Sequence, residues 1–234
     1  MILIHESMPA EAAHVARTVQ EKLGIDCQIR DEIRDDLFPM ISDPGWNGCH
    51  ASAVMDRLDN AFRGQGVLML TRRDLYDFRS GRSPDDFWMF GVTRPDDALS
   101  LVSVARLLGT SSRPTPTLEV PEDRYNRRLA TLAVHEIGHV LTDGAPHHKE
   151  AEWVNATSPA RDRLGSHCDE PACIMYPTVD VRTPEREQGY MEFTETADRR
   201  FDAGLDDQLL RLGSDWFCGR CRAAMKVPDS YHAM

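Results

Sequence analysis

The stretch Leu132-Ala133-Val134-His135-Glu136-Ile137-Gly138-His139-Val140-Leu141 decides how this 234-residue chain is read. It spells H-E-x-x-H among apolar residues at Leu129, Leu132, Ala133, Ile137, Val140 and Leu141. Spacings of three and four predict a helix with one buried side. Gly144 and Pro146 supply its stop. Residues four apart share a helix face with Cβ atoms about 6 Å apart, so His135 and His139 can reach one metal ion. Glu136 is rotated by about 100° and looks toward the open coordination position, where a general base holds a water. The bland alternative is an amphipathic helix whose two histidines share a face by accident.

A second motif weighs against accident. His167-Cys168-Asp169-Glu170-Pro171-Ala172-Cys173-Ile174-Met175-Tyr176-Pro177 reads H-C-x4-C-x-M, and Cys218-Gly219-Arg220-Cys221 adds C-x-x-C. Four cysteines so spaced can close a tetrahedral thiolate site, which zinc accepts without strain. His167 stands beside the first of them and can supply a third nitrogen to the metal on the helix.

Together these residues resemble the archaemetzincins, a branch of the metzincin zinc peptidases. Their pattern is H-E-x-x-H-x-x-G-x-x-H-C-x4-C-x-M-x17-C-x-x-C. The resemblance implies an α+β, zincin-like single domain over 1–234, with a twisted, mostly parallel sheet and an antiparallel edge strand. Residues 1–144 would carry the sheet and the active-site helix, and 145–234 a small zinc-stapled part. It further implies two zinc ions per chain. His135, His139 and His167 would hold the catalytic one, with Glu136 as general base and Met175 in the turn beneath. Cys168, Cys173, Cys218 and Cys221 would hold the structural one. The interval from His167 to Met-Tyr-Pro also looks like the matrixin branch. Tyr176 is a candidate for lining the cleft or donating to the oxyanion, and equally for a packed aromatic. The run 87–93, including Phe90, Gly91 and Val92, falls where metzincins place the edge strand facing the cleft. The resemblance thus implies that an extended peptide or protein substrate pairs there.

Two departures stand against the pattern. After His139 the chain has Val140-Leu141-Thr142-Asp143 in place of an immediate G-x-x-H, so about twenty-two extra residues precede His167. A second excess of about twenty-five separates Met175 from Cys218. Gly144-Ala145-Pro146-His147 keeps the G-x-x-H order two residues late, which makes His147 an alternative third ligand, with His148 beside it. His167 is preferred because its register with Cys168, Cys173 and Met175 is intact, and a loop can lengthen between anchored ends. The broken register also motivates a competing reading, a catalytically decayed zinc-binding structural or regulatory protein. A zinc hydrolase of another type, such as an amidase, fits the helix motif alone.

The bulk composition is compatible with a large soluble domain: 41% hydrophobic, 28% charged, net charge −11. An acidic surface disfavours nucleic acid and anionic membranes as partners. No apolar run approaches the roughly 20 residues of a membrane span, and no signal peptide is expected from Met-Ile-Leu-Ile-His-Glu. The cysteine spacing suits metal binding better than disulfides, so a cytoplasmic location is expected, with Cys27 and Cys49 as small buried residues.

Along the chain, strands are expected at 2–4, 27–33, 67–71, 87–93 and 99–107, with helices at 10–23 and 52–62. Asp35 to Cys49, Arg72 to Pro84 and Arg113 to Thr117 read as loops. The insertion from Thr142 to Leu164, poor in apolar residues, reads as a surface flap and candidate lid. Within 183–213, Phe201, Leu205, Leu209, Leu210 and Leu212 are spaced as an amphipathic helix.

Overall fold

The computed structural model describes residues 1–31, 37–38, 48–76, 88–107, 120–154, 161–178, 190–193, 196–201 and 204–231. The loops expected around 39–45, 77–84 and 113–117, and Phe87, lie outside them. The chain divides into two compact units, 1–141 with 226–234, and 142–225.

The first unit opens with β1 (Ile2–His5), α1 (Pro9–Leu23), β2 (Gln28–Arg30), β3 (Gly48–His50) and α2 (Ala51–Phe62). It continues through β4 (Val67–Thr71), β5 (Asp74–Tyr76), β6 (Trp88–Met89), β7 (Gly91–Arg94) and β8 (Leu99–Ser103) to the long helix α3 (Glu122–Leu141). Its main sheet runs β2-β1-β4-β8-β7. The first four strands are parallel and β7 is antiparallel to β8, so the edge strand alone is reversed.

Every residue of β1, β4 and β8 is buried. That explains the unbroken apolar run Val67-Leu68-Met69-Leu70: a parallel sheet covered on both faces has no polar-out positions. Ile2, Ile4, Val67, Met69, Leu99 and Leu101 meet Val54, Met55, Leu58 and Phe62 of α2 in one core. The alternate residues Leu3, Leu68, Leu70 and Val102 point the other way. On that side α1 and α3 pack on each other and against the sheet. α1 ends where expected, with Gly24 in the left-handed conformation (φ 70°) donating its N–H to the Gln20 carbonyl at 3.0 Å.

The expected strand over 87–93 is in fact divided. β6 pairs with β5 in a small sheet of order β3-β5-β6, whereas β7 joins the main sheet. The break falls at Phe90, whose buried ring packs edge-on against Trp88 at 4.9 Å and whose carbonyl accepts from the Ser103 N–H at 2.7 Å. β5 also occupies part of the stretch read as loop. It carries the buried pair Asp74–Arg106, with Arg106 Nε donating to Asp74 Oδ1 at 2.8 Å. Residues 226–231 return to this unit. Lys226 N–H donates to the Leu141 carbonyl, and the buried Tyr231 ring lies where any Cβ on residue 66 would sit, 1.9 Å away, so that position must be glycine.

The second unit corrects two expectations. The insertion read as a flap forms a hairpin of β9 (Lys149–Val154) and β10 (Arg161–His167), with an irregularity between Arg163 and Gly165. The stretch read as one amphipathic helix forms β11 (Tyr190–Phe193) and β12 (Thr196–Phe201), followed by only a short helix α4 (Leu205–Arg211). The two additions pair with each other in a four-stranded antiparallel sheet, β10-β9-β11-β12. Ala151 of β9 and Phe193 of β11 meet Tyr176 in its small core, with Trp153 and Leu164 alongside. Ladder hydrogen bonds between distant segments win over the helical spacing because they satisfy the backbone and bury Phe193 together. Of the expected helical stripe, Leu205 is buried but Leu210 is 83% exposed. A last helix, α5 (Gly219–Ala224), follows Cys218.

Candidate metal centres

α3 is buried along most of its length, and His135 and Glu136 are buried within it. His135 and His139 turn their rings toward the same point, with Nε2 atoms 3.2 Å apart and ring planes at 82°. Two nitrogens bound to one tetrahedral zinc at about 2.05 Å would stand about 3.3 Å apart. The pair is therefore already at ligand spacing.

Glu136 leans across the edge strand. Thr93 Oγ1 donates to Glu136 Oε2 at 2.7 Å and is itself 3.2 Å from Ser100 Oγ. Gly91, two residues back on the same face of β7, leaves room for the carboxylate: a Cβ there would stand 2.6 Å from Glu136 Oε1. Burial pushes the Glu136 pKa up to about 7, against the lowering effect of the Thr93 hydrogen bond. Such a carboxyl can take and return a proton near neutrality. Thr93 escaped the sequence reading, although its i+2 spacing from Gly91 on a strand is the signal that places both on one face. Val92 faces the opposite way and packs on the core of α2. The outer edge of β7 pairs with no strand among the described residues.

In the second unit, Cys168, Cys173, Cys218 and Cys221 bring their sulfurs within 4.8 Å of one another. Cys168 Sγ is 3.7 Å from Cys218 Sγ, and Cys173 Sγ is 3.6 Å from Cys221 Sγ. Tetrahedral zinc with bonds of about 2.3 Å sets sulfurs about 3.8 Å apart, whereas a disulfide would need about 2.05 Å. Backbone N–H groups of Cys218 and Cys221 donate to the sulfurs of Cys173 and Cys218. Hydrogen bonding with Cys168 and Cys221 pulls the Cys173 pKa down to about 4, and hydrogen bonding with Cys168 and Cys173 pushes that of Cys221 up.

The loop between the cysteine pairs is held from within. Cys168 N–H donates to the Met175 carbonyl at 3.0 Å, and Ile174 N–H to the Trp216 carbonyl at 2.7 Å. The buried Gln208 amide of α4 reaches the carbonyls of Cys173, Ile174 and Tyr176 at 3.0 to 3.2 Å. Met175 is fully buried, and Tyr176 packs on Phe193 with ring centroids 5.8 Å apart. His167, at the end of β10, is buried and directs Nδ1 at the Gly165 carbonyl, 3.0 Å away. With Nδ1–H donating to that carbonyl, Nε2 is the unprotonated nitrogen of the neutral ring. His147 and His148, weighed above as alternative third ligands, both turn toward Cys221: their Nε2 atoms are 3.1 and 3.3 Å from its sulfur.

Three solved structures are similar to this chain along its length. A zinc-dependent peptidase from Methanocorpusculum labreanum (strain Z) matches with a TM-score of 0.57 and 21% identity, over 95% of this chain and 98% of that one. An archaemetzincin from Methanopyrus kandleri gives 0.51 and 22%, over 95% and 90%. An archaemetzincin from Archaeoglobus fulgidus, solved with malonate, gives 0.53 and 18%, over 95% and 98%. No protein-family model and no curated protein matches. The class of fold is that of the zinc peptidases. Its particular form is the archaemetzincin one, as the two motifs implied.

Proposed function

We propose that this protein is a zinc-dependent peptidase, and the observation that carries the reading is the α3 arrangement. Two imidazole nitrogens 3.2 Å apart are followed, one residue on from His135, by a buried carboxyl steadied by Thr93. The donor set fits zinc: neutral imidazoles at tetrahedral spacing, with the general base next in sequence. His135 and His139 would hold the catalytic ion with His167 as third ligand. The Nδ1 contact of His167 with Gly165 supports that role by presenting Nε2. The chemistry a zinc ion would supply there is a bound water with its pKa lowered toward about 7 and a polarised carbonyl. Glu136 takes the proton from the attacking water and returns it to the departing amine. Thr93 keeps one carboxylate oxygen fixed, so the other is left to accept the proton. Gly91 keeps the edge strand out of its way.

The outer edge of β7, which pairs with no strand among the described residues, would offer backbone groups to an extended peptide, which supports strand addition as the mode of substrate binding, with Gly91 and Val92 nearest the scissile region. Cys168, Cys173, Cys218 and Cys221 would hold a structural zinc besides the catalytic one. Met175 lies in the turn that the Gln208 contacts brace. Among the described residues no helix is long and apolar enough to cross a membrane. Glu136→Ala is expected to lower peptide hydrolysis by at least about 100-fold without loss of bound zinc. Undiminished hydrolysis by a homogeneous preparation of that variant would overturn the reading.

A further inference from the structure

His147 and His148 have no part in the proposed peptidase chemistry, yet both imidazoles point at a cysteine sulfur. They follow two tight turns, with Ala145 N–H donating to the Thr142 carbonyl and His148 N–H to the Ala145 carbonyl, each at 3.0 Å. Gly144 supplies the left-handed residue (φ 66°) the first turn needs. Neighbouring side chains in an extended chain diverge, but here the turns bring the two rings edge to face with centroids 4.6 Å apart. The ligand atoms of His147, His148, Cys168 and Cys221 all lie within 4.8 Å of one another, as do those of Cys168, Cys173, Cys218 and Cys221. Two groups of four therefore share two members.

We propose that this cluster is a binuclear metal site, in which Cys168 and Cys221 bridge one divalent ion bound by Cys173 and Cys218 and a second bound by His147 and His148. The donor count fits without remainder. Two four-coordinate ions sharing two bridging sulfurs need six donor residues, and six are present. The distances fit as well. A nitrogen and a sulfur on one tetrahedral zinc stand about 3.5 Å apart, and the imidazole-to-Cys221 separations are 3.1 and 3.3 Å.

Charge points the same way. Four thiolates around one dication carry a net charge of about −2, and Cys168, Cys173 and Cys221 are fully buried, where uncompensated charge is costly. Arg220 on α5 pairs with Asp169 at 2.5 Å and also attracts Cys168 and Cys218, which offsets only part of that charge. A second dication held by two neutral imidazoles brings the cluster to neutrality. The mixed sulfur and nitrogen donors select zinc-like ions over magnesium or calcium. The inference is independent of the peptidase reading, since the donors proposed for the α3 ion include no thiolate.

The test is to load the full chain with cadmium-113 and record its NMR spectrum, in which thiolate-bound cadmium resonates apart from cadmium held by nitrogen alone. Two thiolate-bound resonances of equal intensity are expected, with the Cys168 and Cys221 β-protons coupled to both. His147→Ala/His148→Ala should lose one and keep the other. A single thiolate-bound resonance in the native chain overturns the proposal, because the imidazoles then only donate hydrogen bonds to Cys221. Two resonances that both survive in the double variant overturn it equally.

Discussion

In α3 the donors His135 and His139 come from one helix, whereas the thiolate cluster gathers its donors from three segments, 147–148, 168–173 and 218–221. The helix needs no metal to hold its donors, because backbone hydrogen bonds and burial on most sides already fix their spacing. In the cluster no single element does so. Its donors are brought together by a few loop hydrogen bonds, the Gln208 amide and a small core of Ala151, Tyr176 and Phe193. A centre preset by one helix would be ready for chemistry before its ion binds, whereas one drawn from scattered loops would depend on its ion for its fold.

The largest effect should come from removing the metal. Structural zinc sites contribute on the order of 10 kcal/mol of folding free energy. Stripping metal with a strong chelator, or Cys173→Ser, should bring amide exchange in 168–176 and 219–224 close to unfolded rates. Amides of α3 should stay protected under the same conditions. Full protection of 168–176 in metal-free protein would break the comparison, since the loops would then hold themselves.

Gln208→Leu comes next. It leaves the carbonyls of Cys173, Ile174 and Tyr176 without the amide that now meets them in a buried site, at a cost of about 3 kcal/mol. Urea unfolding should show the loss, and peptide turnover at temperatures where the variant is folded should be little changed. A variant as stable as the parent would mean that the ion alone holds the loop.

In the first unit the matching perturbation is Gly91→Ala. The new methyl would stand 2.6 to 2.8 Å from the Glu136 side chain, so the carboxylate must move. A displacement of about 1 Å in a reacting group costs on the order of 100-fold in rate. Hydrolysis should fall by that factor while the unfolding midpoint moves little. The opposite pattern, stability lost and turnover kept, would make the Gly91 contact one of packing only.

What could be read in the chain follows the same division. The α3 motif and the buried run of β4 were legible because helical spacing and an uninterrupted apolar strand are local properties. The contact of Thr93 with Glu136 was not, for it exists only once β7 lies beside α3. The sheet of the second unit was hidden for a like reason: β9 and β11 pair across 36 to 42 residues, and each is short and interrupted by glutamate. His147 and His148 illustrate the limit most sharply. Gly144-x-x-His147 keeps the order of a third-ligand motif two residues late, but the direction of both rings is set by the turns at 142–148, which leave them facing Cys221.

The smallest effect tests whether the first unit's packing is fully optimised apart from its site. Tyr231 is buried, its carbonyl accepts from the Met1 nitrogen at 2.9 Å, and its ring fills the space over Gly66. Its hydroxyl has no hydrogen-bond partner among the described residues. Burial accordingly pushes the phenol pKa well above its usual value. A buried hydroxyl without a partner forfeits its hydration for nothing, so Tyr231→Phe keeps the ring packing and removes the penalty. Stability should stay level or rise by up to about 1 kcal/mol in urea titration. A loss of more than about 1 kcal/mol would mean that the hydroxyl is satisfied in solution, and that this corner of the first unit is braced by a polar contact as the Gln208 loop is in the second.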